Sequence, residues 1–558
     1  MNNRSRTVVY LITVVMTVCF LRCTPDPVSG GGTIETTNGV VGSVRYADET
    51  PAPNSIVRLF RENYNPVVDG APDTRFTDTA DTDGIYRFSD IAPGTYTVIA
   101  RNQETATGFL ERDVEVFDDS VTTVGDGLLE GNGFITVDFS SGGMADGDYV
   151  YIPGTDLSAP VNGDGSVVFG AIPPGTFSTL LLSSDRGGIR NLLRETITVV
   201  SGDTTVIELP LWNHCRKLVL NTTSAGAGIS GDVNGFPVLV RLSAASFDFS
   251  QADGSGRDIR FTSPDGKVLS HETEQWDSTG ERAALWVRVD TVYGNDSTQF
   301  IMMYWDNPAA VDGSHGDQVF DTTMGFQGVW HLSGYATDSA VDATGNGYNG
   351  ISPDTCHPAA MKGIAGDCRG FDGVGDYITM PNTADSRLDF PEEGQYTVSA
   401  WIKLDTLDGE PHLIVAKGFT QYFMRFTYFP SDSASWEFAE FSEAGRWQAC
   451  TTPAASGQWA QLVGVREGSR QLLYCNGVLV DSVPNIYPNS DFSRDVSNDL
   501  SIGKFLIAVE VQGVVENSYC FFKGSIDEVR IASSARSSGW VRLCYMNQRP
   551  DDRLVIFK

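Results

Sequence analysis

The chain is 558 residues long, more than a single core normally holds, so several domains are expected. Its 71 acidic residues against 39 basic ones give a net charge of -32, which argues against nucleic acid and anionic membrane surfaces as partners. Fifty-eight glycines and 25 prolines punctuate short runs of Val, Ile, Thr, Tyr and Phe, and no long stretch has a helical period. The fold class predicted is all-β, a tandem of sandwiches.

Arg4 and Arg6 precede an apolar stretch from Thr7 to Leu21, too short for a comfortable membrane span, so residues 1–22 read as a signal peptide. Export is the consequence. Cys23 opens a polar tether over 23–38, "CTPDPVSGGG" and onward. The segment resembles a bacterial lipoprotein signal, which implies lipidation of Cys23 and a lipid anchor at the cell surface or outer membrane. Arg22 stands where that family places a small residue, so an ordinary secretory signal or an uncleaved anchor stays open.

Residues 39–128 contain "DTDGIYRFSDIAPGTYTV", and its punctuation returns 81 residues later in "NGDGSVVFGAIPPGTFST", within 129–210. Asp83-Gly84 and Pro93-Gly94 are hairpin signals, and the two-residue strand period places Tyr86 and Phe88 on one face. The first copy resembles the carboxypeptidase regulatory-like domain, a transthyretin-type sandwich; the second resembles a more diverged copy. Together they are expected to form a stalk. The Asp-rich turn reads as a hairpin rather than a calcium loop, because Thr79 occupies the first ligand position and no helical pattern flanks it.

Residues 211–318 give further strand-like runs, among them "FPVLVRLSAASFDFS", "ERAALWVRVDTV" and "STQFIMMYWDNPAA". With Trp212, Trp276-Asp277, Trp286 and Met303 to Asn307, they resemble a bacterial extracellular domain of uncharacterised function that precedes laminin-G-like jelly rolls. "GAGISG", Gly226 to Gly231, leads into a turn and a strand, so it lacks the context of a dinucleotide site.

Residues 319–558 carry "GFQGVWHLSG", "RGFDGVGDYITM", "YTVSAWIKL", "YCNGVLV" and "GSIDEVRIASSARSSGWV" in an order that resembles laminin-G-like, concanavalin A-like jelly rolls. Seven cysteines fall in the body, six of them after residue 350, and in an exported chain disulfides are expected; Cys356 with Cys368 would close a short loop, but the connectivity stays open and the odd count leaves one thiol unpaired. The E-x-D-x-x-E strand of hydrolases that share this fold is absent. The nearest acidic strand, "WEFAEF", spaces Glu437 and Glu440 three apart, which turns them to opposite faces. No H-E-x-x-H pair and no G-x-S-x-G elbow occurs, so the expectation is a protein that is not an enzyme.

A binding role follows, with extracellular polysaccharide or glycan as ligand. The aromatic-rich stretch 421–448 supplies the candidates Tyr422, Arg425, Phe426, Tyr428, Trp436 and Trp447, since aromatic faces stack on sugars. Tyr422, Phe426 and Tyr428 fall on one strand face, Phe423 and Phe429 on the other. The superfamily resemblance also implies a structural calcium, with Asp338, Asp342 and Asn346 of one loop and Asp527 of a distant strand as candidate ligands. The competing readings are an adhesive surface protein that binds another protein and, third, a glycoside hydrolase component.

Overall fold

A computed structural model describes residues 38–558 apart from 71–72, 140–147, 184–189, 208–211, 335–338, 354–355, 383–385, 391–393, 419–420, 429–432, 443–445, 469, 485–497 and 512–513. Cys23 and Asp338 lie outside the described residues. So does the side chain of Trp447, although its backbone belongs to the strand Arg446–Pro453.

The 81-residue repeat is a repeat of backbone geometry. The strands Gly94–Asn102 and Gly175–Ser183 occupy equivalent places, and the glycines at each turn share left-handed torsions: φ is 77° at Gly84 and 80° at Gly165. Only glycine adopts such angles without steric cost, which is why these positions recur. In each copy the central strand of a three-stranded sheet has one antiparallel and one parallel neighbour. The orders are Ile85–Ser89, Gly39–Arg45, Val121–Leu128 and Ser166–Ile172, Gly133–Asp138, Thr204–Ile207. A second sheet closes each sandwich over its own apolar core, built around Tyr86, Phe88 and Val98 in one and Phe169, Phe177 and Leu180 in the other. Asp81 turns the hairpin as expected, its carboxylate accepting the N–H groups of Asp83 and Ile85.

The two copies do not stand clear as a stalk. Tyr151, Leu181 and Leu192 of the second pack with Met302 and Tyr304 of the next unit, and Val67 of the first joins them. Ion pairs tie the junction: Arg101 to Asp156 at 2.6 Å, Arg260 to Glu195 at 2.6 Å and Lys267 to Glu62 at 3.1 Å.

The remaining chain forms two sandwiches with one seam. The first combines a five-stranded sheet, containing His214–Leu220 and Phe300–Trp305, with a three-stranded sheet of Val233–Ser243, Arg282–Val292 and His271–Asp277. The second is a jelly roll of two eight-stranded sheets. Its inner face buries Trp330, Val398, Ala400, Ile402, Phe438 and Ile531.

The boundary expected at 318/319 does not separate two cores. One cluster unites Leu239, Trp286 and Met303 with Val463, Tyr474, Trp540 and Leu543 from the other side. The chain then returns: after the helix Ser538–Gln548, the strand Val555–Phe557 pairs antiparallel with His214–Leu220 at the edge of the earlier unit's sheet. Asn547 of that helix caps another edge, its side-chain amide donating to the Leu239 carbonyl at 2.9 Å and accepting the Leu239 N–H at 2.7 Å. Exposed strand edges invite unwanted pairing, and here the C-terminal segment covers two of them.

No disulfide is formed among the described residues, contrary to the expectation from export. Cys368 sits in the strand Asp367–Asp372, where burial pushes its thiol up to about 12, so it behaves as a small apolar side chain.

Candidate functional site

The candidate aromatics on Tyr422–Thr427 and its neighbour Ser435–Ser442 are core residues. Tyr422, Phe426 and Trp436 are each at most 2% exposed and point into the sandwich, where Phe426 meets Trp436 edge-on at 5.6 Å. They cannot stack on a sugar. Tyr428 is half-buried against Phe426, its hydroxyl accepting the Gly409 N–H.

The opposite face of the same strands is also covered. Phe423 and Ala439 are buried beneath the hairpin formed by Lys504–Val511 and Val514–Phe521, with Phe505 packing on Phe423 at 5.6 Å. Between them Arg425 donates to Glu437 and lies 5.1 Å from the Phe423 ring. Burial holds the Glu437 carboxyl above its ordinary range even with the guanidinium beside it. Glu440, three residues on, faces inward to the Tyr396 hydroxyl and the Arg466 guanidinium. The two acids therefore occupy opposite faces, as the strand period predicts, each with its own partners.

An aromatic cluster that reaches the surface lies elsewhere, at the base of that hairpin. Tyr377, Tyr519 and Phe521 form a ridge: Tyr377 to Phe521 is 6.4 Å between centroids and Tyr519 to Phe521 is 6.0 Å, with Tyr519 46% exposed. Lys504 places its ammonium 3.8 Å from the Tyr377 ring and 4.7 Å from the Tyr519 ring, so cation–π attraction fixes both rings around one charge. Below the ridge His412 hydrogen-bonds the Phe521 carbonyl at 2.8 Å and Asp408 at 2.9 Å, anchoring the strand that carries Tyr519 and Phe521. Asp376, next to Tyr377, has its carboxyl raised by burial and by the nearby Asp372. Flat apolar faces bordered by an ammonium and carboxylates suit a pyranose, which has apolar C–H faces and a rim of hydroxyls.

These residues escape a reading centred on the densest aromatic stretch. One signal was available: in "NSYCFF" Tyr519 and Phe521 are two apart, hence on one strand side. Their meeting with Tyr377, more than a hundred residues earlier, is tertiary.

Among the described candidates, Asp342, Asn346 and Asp527 do not converge as calcium ligands. The carboxylate of Asp342 accepts the N–H groups of Val329, Thr344 and Tyr348 together with the Thr344 hydroxyl, an all-donor environment. Asn346 donates its amide to the Gln327 carbonyl at 2.9 Å. Asp527 accepts the N–H groups of Ile364 and Ala365 at a separate place in the fold. A hard cation needs converging oxygens, and Asp342 and Asn346 act as turn braces instead.

Residues 372–542 match the concanavalin A-like lectin/glucanases superfamily, and residues 255–333 match a domain of unknown function, DUF2341. No curated protein matches the chain. Among solved structures, the binding domain of Paraclostridial Mosquitocidal Protein 1 is 14% identical, with TM-score 0.31, over 40% of this chain and 53% of that one. Domain 4 of AbnA, an extracellular arabinanase from Geobacillus stearothermophilus solved with arabinotriose, is 20% identical, with TM-score 0.30, over 39% of this chain and 97% of that one. The receptor binding domain of botulinum neurotoxin mosaic serotype C/D is 15% identical, with TM-score 0.30, over 42% of this chain and 52% of that one. This chain thus spans about half the length of the two toxin domains.

Proposed function

We propose that the protein is a non-catalytic recognition protein of the cell exterior that binds extracellular polysaccharide or glycan on the ridge of Tyr377, Tyr519 and Phe521. The observation that carries the proposal is that this accessible aromatic cluster, ordered around Lys504, falls inside the 372–542 segment matching the lectin/glucanases superfamily. Export, with anchoring through Cys23, places the ridge where such polymers occur.

Binding rather than hydrolysis is favoured by the acids themselves. Glu437 and Glu440 are buried on opposite sides of one strand, and each is committed to an arginine. Neither is poised across an open cleft as a glycosidase pair must be.

A glycan array probed with the full chain, together with a reducing-sugar assay on the polysaccharides that score, tests both halves. Retention of at least one glycan family without release of reducing ends is expected. Sugar release would overturn the non-catalytic half, and no binding to any glycan would shift the reading to a protein adhesin.

A further inference from the structure

The seam between the two C-terminal sandwiches contains a side-chain cluster that glycan binding does not use. We propose that Glu274, His331 and Glu528 bind one divalent transition-metal ion, of the Zn²⁺ or Mn²⁺ type, which clamps the two sandwiches together.

The three residues come from both sides of the seam. Glu274 is on His271–Asp277 of the earlier sandwich, His331 follows Phe326–Trp330, and Glu528 is on Lys523–Ala532 of the jelly roll. One ligand atom from each lies within 4.8 Å of the other two. His331 Nδ1 is hydrogen-bonded to Glu528 at 2.7 Å, a contact the ion would replace, and lies 3.8 Å from Glu274, so small shifts reach the roughly 3–3.5 Å between ligands around an ion with bonds near ~2.1 Å.

The backbone is shaped to deliver these side chains. Each glutamate sits at a β-bulge: the register of its strand skips at Glu274, between Thr273 and Gln275, and again opposite Ala400, between Ser399 and Trp401. Glu528 has φ 52°, a left-handed torsion that a non-glycine residue adopts at a cost. Bulges and strained torsions of this kind re-aim side chains and concentrate at functional sites.

The surrounding groups have the pattern of a metal site's outer shell. The other ring nitrogen of His331, Nε2, is 3.2 Å from Glu272, and its ring stacks on Trp286 at 5.7 Å. Trp286 donates its indole N–H to Glu274 at 2.8 Å, and Arg530 donates to Glu528. A ligating histidine normally holds a carboxylate with its second nitrogen, and ligating carboxylates are themselves hydrogen-bonded.

A further fact points to a missing cation. Glu274 Oε1 is buried with no hydrogen-bond partner among the described residues, on a side chain that is fully enclosed. One imidazole nitrogen with carboxylate oxygens is a donor set for zinc or manganese rather than calcium.

The test uses the full chain, stripped with chelator, then incubated separately with Zn²⁺ and Mn²⁺ and desalted. Elemental analysis should find about one equivalent of one of these ions, with a rise in melting temperature. Glu274→Gln, which keeps shape and hydrogen-bonding capacity, should fold and retain less than a tenth of that metal. Glu272→Gln should weaken retention about 10- to 100-fold through loss of ring orientation, and Asp342→Asn should leave it unchanged. Metal-free wild-type protein, or equal retention by Glu274→Gln, would overturn the proposal.

Discussion

At the scale of single residues, burial decides which side chains can act. Alternation correctly places Tyr422 and Phe426 on one face, but it cannot say that this face is the interior or that a hairpin covers the other. That information lives in pairings between Lys504–Val511 and Val514–Phe521, far from the strands they cover. The covered Arg425 and Glu437 pair has a consequence for stability. Removing one partner of a buried pair strands the other charge, so Glu437→Ala should cost about 3 kcal/mol in urea unfolding; a loss below about 1 kcal/mol would show that water reaches the pair. His271 gives a pH signature: burial, reinforced by the Arg260 guanidinium, pushes its imidazole from 6.5 down to about 3. The folded protein then binds fewer protons than the unfolded chain between these values. Its contribution is fully present above pH 6.5 and is lost as pH falls toward 3, on the order of 4 kcal/mol across the window. Denaturation curves from pH 7 to 4 should show this slope, and His271→Phe should flatten it.

At the scale of elements, what repeats locally was legible and what returns from afar was not. Asp-Gly and Pro-Gly punctuation at an 81-residue offset marks hairpins whose glycines adopt matching torsions, because turn chemistry is local. The strand Val555–Phe557 carries no such mark, since three residues paired to a strand more than three hundred positions earlier have no short-range signal. Its placement predicts that a chain ending at Gln548 loses the sheet edge at His214–Leu220 and the fully buried Leu554. Burial of one leucine together with the lost pairing is worth at least about 3 kcal/mol. Hydrogen exchange should show new opening of Leu218 to Leu220, and unchanged protection there would mean that the C-terminal strand contributes little.

At the scale of the whole molecule, a shared apolar core joins the last two sandwiches into one body, with the matched superfamily segment 372–542 inside it rather than beside it. The N-terminal sandwiches press on that body where Tyr151 and Leu181 meet Met302 and Tyr304, and none of Tyr377, Lys504, Tyr519 or Phe521 belongs to this junction. An all-β tandem was readable from composition and turns, whereas the fusion of its last two members depended on apolar side chains from both finding one core. The central claim is that the ridge binds glycan. It is tested most directly by calorimetric titration of the tightest array ligand into the full chain and into Tyr377→Ala and Tyr519→Ala. Each substitution should weaken binding about tenfold, the loss of one stacking face, with an unchanged melting temperature; affinities equal to wild type in both variants would contradict the claim.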